Sequence, residues 1–439
     1  RLTGDKRWVL EHLDSIISAC RWIKALRETT KHASLGKGYG LMPPGQSTDA
    51  TYSSDHLQWY YTDIWTLKGL IDIVPVLEAC GAECTDEMRV EAEDYAACFL
   101  RSLDSSILTA EELPIHSYEY DFSLYRYSGA LKDSIINKYD EKGVPLALKD
   151  RIITRDRMKE LGLSLYIPMS PQCTIPMSPP YLDDGSPHML GLLTGVIDFQ
   201  SDRPLFEGAR FSGREIWEGI VSSLKAFGNY SFGNGVYPGA VSYIDYMMEK
   251  HLYCDEIEDY ASAISFVRRY ACDPDNHMMV EEVGLNRCEK WYQPCPFALS
   301  MANFRSWLFK AFLYEDPRDG RLVVGKAIPK EWMENSVTYE KPLVLQRAST
   351  VFGVISVSYH VDFISNTIAV SLCFDEPERL PRQIEIRFNH PLNEPVSDVT
   401  LSDGICACID KSRGIAILDI ESLRGLKNMT ATAYYEKRQ

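Results

Sequence analysis

The sequence lacks long apolar runs and an excess of positive charge. No apolar run approaches the ~18 residues that span a bilayer, and residues 1–8 lack the apolar core of a signal peptide. The formal net charge of −16 opposes binding to phosphate backbones and to anionic membranes. We therefore predict that neither nucleic acid nor a membrane is a partner.

Several motifs that carry chemistry are also missing. The twelve cysteines contain no Cys-x-x-Cys pair, and no two histidines have the close helical spacing of metal ligands, so we predict no metal and no cofactor. Because Gly-x-Ser-x-Gly is missing too, acyl transfer has no support. Cysteines scattered over apolar helix faces are typical of buried thiols in a reducing compartment, which favours a cytoplasmic protein.

The hydrophobic period predicts helices in the first part of the chain. With 439 residues, about two domains are expected. Phe304, Trp307 and Leu308 begin the clearest apolar stripe, which ends near Phe312. The predicted helices cover about residues 6–28, 54–81, 85–102, 188–199, 213–228, 238–252 and 255–271, followed by the helix that ends near 312.

The period changes to 2 after Asp316-Pro317. Val357, Tyr359 and Val361 alternate with polar residues, as half-buried strands do. Further strands are predicted near 337–346, 367–374, 384–388, 405–410 and 414–420. We therefore predict a multidomain protein with a helical domain at 1–316 and an antiparallel β-sandwich at 317–439.

Six short motifs point to one family. They are Thr3-Gly4-Asp5, Gly40-Leu-Met-Pro-Pro-Gly45, Asp55-His-Leu-Gln-Trp-Tyr-Tyr-Thr-Asp-Ile-Trp65, Leu182-Asp-Asp-Gly185, Val280-Glu-Glu-Val283 and Leu322-Val-Val-Gly-Lys-Ala-Ile-Pro-Lys-Glu-Trp332. With them the chain resembles bacterial six-hairpin glycoside hydrolases. The resemblance implies an (α/α)6 toroid with a sugar cleft, followed by a β-sandwich. Since the chain offers fewer than twelve helices, we expect an N-terminally incomplete toroid cut from a longer protein.

Glycoside hydrolysis needs two carboxylates, one protonated and one ionised. Glu282 follows an apolar segment that would desolvate it, Asp184 precedes a predicted helix in a proline-rich loop, and Asp63 lies near the face of Trp59. These three acids are the predicted catalytic residues. Ordinary alternatives are a surface carboxylate for Glu282, a turn for Asp184 and a solvated helix face for Asp63.

The predicted substrate-binding residues surround these acids in sequence. Aromatic rings can stack on sugar rings, and carboxylates or imidazoles can bind hydroxyl groups. The candidates are Asp55, His56, Trp59, Tyr61, Asp183, Glu281 and Trp291. The pattern Asp55-x-x-Gln58 is also typical of a helix capping box.

The resemblance and the charge together predict a hydrolase of a neutral oligosaccharide or glycoside, with direct attack by water as the toroid resemblance implies. Related toroids also act as polysaccharide lyases and glycoside phosphorylases, and the run from Tyr118 to Tyr127 is the feature that favours a lyase. A non-catalytic carbohydrate-binding fragment is the remaining alternative. In each case a carbohydrate is the expected ligand.

Overall fold

A computed structural model divides the chain into two compact units. The first contains the described residues up to 227, and the second contains those from Met248 onward. The structure describes residues 6–45, 57–122, 139–144, 146, 149, 152–172, 175–176, 195–227, 248, 251–272, 275, 278–279, 298–316, 320–375, 380–402, 405–419, 421, 424–425 and 427–436.

The described part of the first unit is mainly helical. Its α-helices are α1 (Lys6–Glu11), α2 (Leu13–Glu28), α3 (Tyr60–Ala79), α4 (Thr85–Ser106), α5 (Arg155–Glu160) and α6 (Gly213–Phe227). Three 3-10 helices span Ala33–Gly38, Ala110–Glu112 and Ser117–Glu119.

Helices α3 and α4 pack as an antiparallel hairpin. Tyr60 opens α3, and its hydroxyl lies 2.8 Å from Oγ of Ser102 and 3.0 Å from Oγ of Ser106, near the end of α4. The ring of Tyr60 also meets Phe99 edge-on, with centroids 5.7 Å apart. One stripe of α3 provides the buried side of this hairpin: Tyr60, Asp63, Ile64, Leu67, Leu70, Val74 and Leu77.

The helix predictions are confirmed for most of the first unit, with three corrections. The helix predicted over 6–28 divides at His12, whose Nδ1 lies 2.8 Å from the Trp8 carbonyl oxygen. The helix predicted from residue 54 begins at Tyr60, after extended backbone at Trp59. Of the helix predicted over 188–199, residues 195–199 form turns.

The second unit combines helices with strands. Its helices are α7 (Ile257–Ala271), α8 (Ala298–Phe312) and α9 (Lys330–Thr338). Its strands are β1 (Leu313–Glu315), β2 (Leu322–Val324), β3 (Leu343–Thr350), β4 (Gly353–Asp362), β5 (Thr367–Asp375), β6 (Gln383–Arg387), β7 (Val396–Leu401), β8 (Ala407–Asp410), β9 (Ile415–Asp419) and β10 (Asn428–Tyr435). The domain boundary predicted near residue 317 stays a prediction.

Two five-stranded sheets form from these strands. The first has the order β1-β2-β6-β9-β8, and the second has the order β3-β4-β5-β10-β7. All the pairs are antiparallel except β2 with β6, which run parallel with Leu322 opposite Ile384. The prediction of helices followed by antiparallel strands is confirmed.

The sheets contact each other through buried side chains. Alternate residues of β4 are buried, including Val357, Tyr359 and Val361, as their period predicted. The hydroxyl of Tyr359 in the second sheet donates to the carbonyl oxygen of Arg387 in the first at 3.2 Å. The predicted strand over 337–346 needs one correction, because residues 337–338 end α9 and β3 begins at Leu343.

Within the described ranges, none of the helices combines the length and apolar character that a bilayer crossing requires.

Candidate functional site

The turn that ends at Gly45 is tied to the chain just before α3. Gly45 and Leu57 form an isolated antiparallel bridge, with the Leu57 carbonyl accepting from the Gly45 amide at 3.0 Å. The indole of Trp59 donates to the Gly45 carbonyl at 2.8 Å. Gly45 and Leu57 border residues 46–56, so the two borders of the segment that holds Asp55 and His56 are held together.

Gln58 makes the central hydrogen bonds of this region. Its side-chain nitrogen donates to the carbonyl oxygens of Gly38 at 2.8 Å and Met42 at 3.0 Å. Its side-chain oxygen accepts from Nε2 of Gln172 at 2.6 Å, and its backbone N–H donates to Oε1 of Gln172 at 2.8 Å. Because Gln58 precedes the first residue of α3 by two positions and binds the turn instead, the capping-box interpretation of this residue is wrong.

A second segment joins the first at this point. The carbonyl of Met169 accepts from the backbone N–H of Tyr60 at 2.9 Å. Together with Gln172, this bond aligns residues 169–172 with residues 58–60. Residues 169–172 lie in the segment that leads toward Asp183 and Asp184 in sequence.

Asp63 lies one turn into α3 with no exposed surface. Its Oδ1 accepts from the backbone N–H of Met42 at 2.8 Å and from the hydroxyl of Tyr95 at 2.6 Å. Its Oδ2 is buried and has no hydrogen-bond partner among the described residues. The carboxyl group thus fastens the turn at Met42 to the α3–α4 hairpin.

Burial controls the protonation of this carboxyl group. Desolvation raises the pKa of Asp63 from its usual 3.8 to about 7, although the hydrogen bonds from Met42 and Tyr95 and the charge of Arg27 lower it. Burial raises the pKa of Tyr95 well above its usual value, so Tyr95 remains a hydrogen-bond donor at neutral pH. The side chain of Asp63 therefore holds a proton in the range where most aspartates have lost theirs.

Arg27 extends the network from α2. Its guanidinium is fully buried, pairs with Glu91, and lies 2.9 Å from a carboxylate oxygen of Asp94. Its Nε donates to the carbonyl of Gly40 at 2.8 Å, and its charge sits 4.0 Å from the centroid of the Tyr95 ring. Arg27 and Asp63 thus both bind the turn, at Gly40 and at Met42.

The predicted residues of this region have different exposures. Asp63 is fully enclosed, which favours a role in positioning the turn over the predicted catalytic role. Trp59 is only 6% exposed and donates to the Gly45 carbonyl, whereas Tyr61 is 37% exposed. Of these three, Tyr61 has the surface to contact a dissolved ligand.

The other predicted site residues lie outside the described residues. They are the catalytic candidates Glu282 and Asp184 and the binding candidates Asp55, His56, Asp183, Glu281 and Trp291.

A groove of about 500 Å³ opens beside α6 in the first unit. Trp217 gives it an aromatic wall, and Ser164 and Ser222 place hydroxyl groups along it, with the Ser164 amide donating to Oγ of Ser222 at 3.1 Å. Glu218 and Lys225 add one charge of each sign. Such a lining suits a small polar ligand with one apolar face.

Sequence reasoning missed Arg27, Glu91, Tyr95 and Gln172 as parts of this network. Two spacings in the sequence indicate this network. Asp63 falls on the apolar stripe of α3, three residues after Tyr60 and one before Ile64, which marks a buried carboxyl group that needs donors. Glu91 and Tyr95 are four residues apart on α4, so they share one face that could supply them.

The network therefore holds in place the chain that borders two segments, each of which contains predicted acids.

No protein family model matches this chain, and no curated protein matches it.

Proposed function

We propose that the chain is a glycoside hydrolase acting on a neutral oligosaccharide or glycoside, with Asp184 and Glu282 as its carboxylate pair. In this proposal residues 1–316 form a toroid-like (α/α)6 catalytic domain and residues 317–439 form a β-sandwich. The sequence motifs supply the resemblance to six-hairpin glycosidases, and the helical first part followed by antiparallel sheets is compatible with it.

The contact between Gln58 and Gln172 supports the proposal most. It joins the segment that follows Asp55 and His56 to the segment that precedes Asp183 and Asp184. Residues 114 positions apart are held side by side by two hydrogen bonds. A site built from distant loops needs rigid anchors of this kind, because catalytic groups must be held within about 0.5 Å of their working geometry.

The chemistry requires different charge states of the two acids. One carboxylic acid gives its proton to the leaving oxygen, and the ionised partner removes a proton from the water that attacks the anomeric carbon. We assign the acid role to Glu282, because the apolar Met278-Met-Val280 precedes it in sequence and desolvation favours the protonated form. Asp184 is then the base.

Asp63 acts as a positioning residue in this proposal. Its bond to Met42 fixes the turn that continues into Gly45 and the segment of Asp55 and His56. Trp217 offers an apolar face to a sugar ring in the groove beside α6.

The test compares wild type with Glu282→Gln and Asp184→Asn on aryl glycosides and neutral oligosaccharides. Each substitution keeps the size of the side chain but removes its titratable proton. We expect wild-type turnover with release of reducing ends, and a loss of at least about a hundredfold in kcat in each variant. Matched controls are Glu160→Gln and Asp86→Asn, whose carboxylates are 67% and 89% exposed on α5 and α4.

Retained turnover in both variants would remove them as catalysts. An unsaturated product from a uronic-acid polymer would instead identify a lyase. Sugar binding by wild type without turnover of any substrate would identify a carbohydrate-binding module.

A further inference from the structure

We propose that His251, Glu256 and Asp259 form a binding site for a divalent transition metal, with Zn²⁺ as the ion that fits best. The three residues lie in the second unit, at the junction between a helical turn at residues 251–253 and α7. Their ligand atoms all lie within 4.8 Å of one another. The cluster shares no residue with the proposed glycosidase chemistry.

Local structure explains why these groups converge. The chain reverses at Asp255, whose φ of 57° lies in the left-handed region, and the Glu256 amide donates to the His251 carbonyl at 2.8 Å. Glu256 is the N-cap residue of α7, and Asp259 lies in its first turn. Two carboxylates of one helix end therefore face an imidazole that comes from the preceding helical turn.

The ligand types suit a borderline metal ion. Imidazole nitrogen and carboxylate oxygen both bind Zn²⁺ at about 2.0–2.2 Å, and three protein ligands with water in the fourth position is a common arrangement. His251 is 5% exposed, so its ring is fixed by packing, while Asp259 is exposed and leaves the site open to solvent. The buried imidazole fixes the geometry of the site, and the exposed carboxylate allows a metal ion to enter from solvent.

The existing hydrogen bond shows that the imidazole already points at its carboxylate partner. Nδ1 of His251 lies 2.7 Å from Oε2 of Glu256. A metal ion would take the place of the proton between these two atoms, so binding would release a proton. The nearby acids have other partners: Asp255 pairs with Lys326 and Arg387, and Glu258 pairs with Lys330.

The experiment titrates the full chain with Co²⁺ and Zn²⁺ at pH 7.5, and follows binding by calorimetry and by the visible spectrum of bound Co²⁺. We expect one site whose affinity falls at least about tenfold in Asp259→Asn and in Glu256→Gln. Glu258→Gln is the matched control, because it removes a carboxylate from the same helical turn outside the cluster. Its affinity should equal that of wild type.

Asp259→Asn should fold like wild type, because it changes an exposed residue rather than the buried His251. A loss of affinity in this variant therefore reports on metal binding and not on misfolding. Equal affinity in wild type and Asp259→Asn would overturn the proposal. A thiolate charge-transfer band in the Co²⁺ spectrum would assign the metal to cysteine and overturn it as well, as would the lack of any stoichiometric binding.

Discussion

Tyr95 donates its hydroxyl proton to Oδ1 of Asp63 at 2.6 Å, in a position where neither side chain has exposed surface. The bond joins the middle of α4 to the first turn of α3. The hydrogen bond from Tyr95 favours the charged form of Asp63, but burial outweighs it and makes that charged form unfavourable, and this gives the first prediction.

The stability supplied by Asp63 should fall as pH rises from about 4 to about 7. Burial raises its folded pKa from 3.8 to about 7, so the native state holds a proton there that the unfolded chain has released. Each unit of pKa shift corresponds to about 1.4 kcal/mol. The variant Asp63→Asn mimics the protonated acid and cannot ionise. Between pH 5 and pH 8 the free energy of unfolding of wild type should therefore fall by a few kcal/mol relative to that of the variant.

Urea denaturation of both proteins at pH 5, 6.5 and 8 measures this change. Other titrating groups cancel in the difference between the two proteins. A constant difference across these pH values would contradict the raised pKa.

Removing the buried guanidinium should be far more harmful than removing its whole ion pair. Arg27→Met leaves Glu91 buried without its cation and should reduce the free energy of unfolding by about 3 to 5 kcal/mol. The double variant Arg27→Met/Glu91→Gln should recover part of that loss, because no uncompensated charge remains. A double-mutant cycle from chemical denaturation measures the coupling. Additive losses would show that the two side chains do not depend on each other.

Two glycine-to-alanine changes should have opposite effects. A Cβ on Gly38 would lie 1.7 Å from the side-chain oxygen of Gln58. Three hydrogen bonds hold this side chain in place, so Gly38→Ala should destabilise by about 1 to 3 kcal/mol. Gly69 lies inside α3 with open space around its Cβ position, so Gly69→Ala should stabilise by about 0.5 to 1 kcal/mol. Thermal melts of the two variants distinguish these outcomes by sign. Equal changes in melting temperature would mean that the Gln58 side chain moves aside without loss of stability.

Asp255 should contribute to the stability of the second unit at neutral pH, and this contribution should be lost in acid. Burial alone would raise its pKa, but the Lys326 hydrogen bond and the charges of Arg387 and Lys326 lower it overall. A lowered folded pKa gives stability that is present above the unfolded value of 3.8 and is lost as pH falls through the folded value. Asp255→Asn keeps the left-handed backbone, which asparagine tolerates.

The expected loss at pH 7 lies below the roughly 3 to 5 kcal/mol of a fully buried pair, because both cations are nearly buried but solvent screens the Asp255 side chain, which is 46% exposed. Denaturation at pH 7 and pH 3 measures it, and the deficit should shrink at pH 3. The exposed pair Lys330–Glu258 provides the control: Glu258→Gln should leave the free energy of unfolding nearly unchanged.

The sequence pattern predicted periodic elements better than polar networks. The alternation of Val357, Tyr359 and Val361 placed β4 correctly, because burial of one sheet face imposes a period that local sequence records. The start of α3 was predicted six residues early, because Gln58 binds carbonyl oxygens of the turn at Gly38 and Met42, which are distant in sequence. Such partners are set by tertiary packing.

In the candidate site, too, the sequence predicted burial but not the hydrogen-bond partners. The spacing on α3 could place Asp63 on the buried stripe, but it could not say that Tyr95 and Met42 would supply the donors. The convergence of His251 with Glu256 and Asp259 depends on the left-handed turn at Asp255, which has no periodic signal.

The parallel pairing of β2 with β6 has a consequence for how the second unit folds. The chain between these strands contains β3, β4 and β5, which pair in sequence with their neighbours through short connections. Local pairings close small loops and form early, whereas joining Leu322 to Ile384 must wait until a much longer loop is closed. We therefore expect the β3-β4-β5 meander to form first, and β2 to be completed as a strand only after β6 lies alongside it.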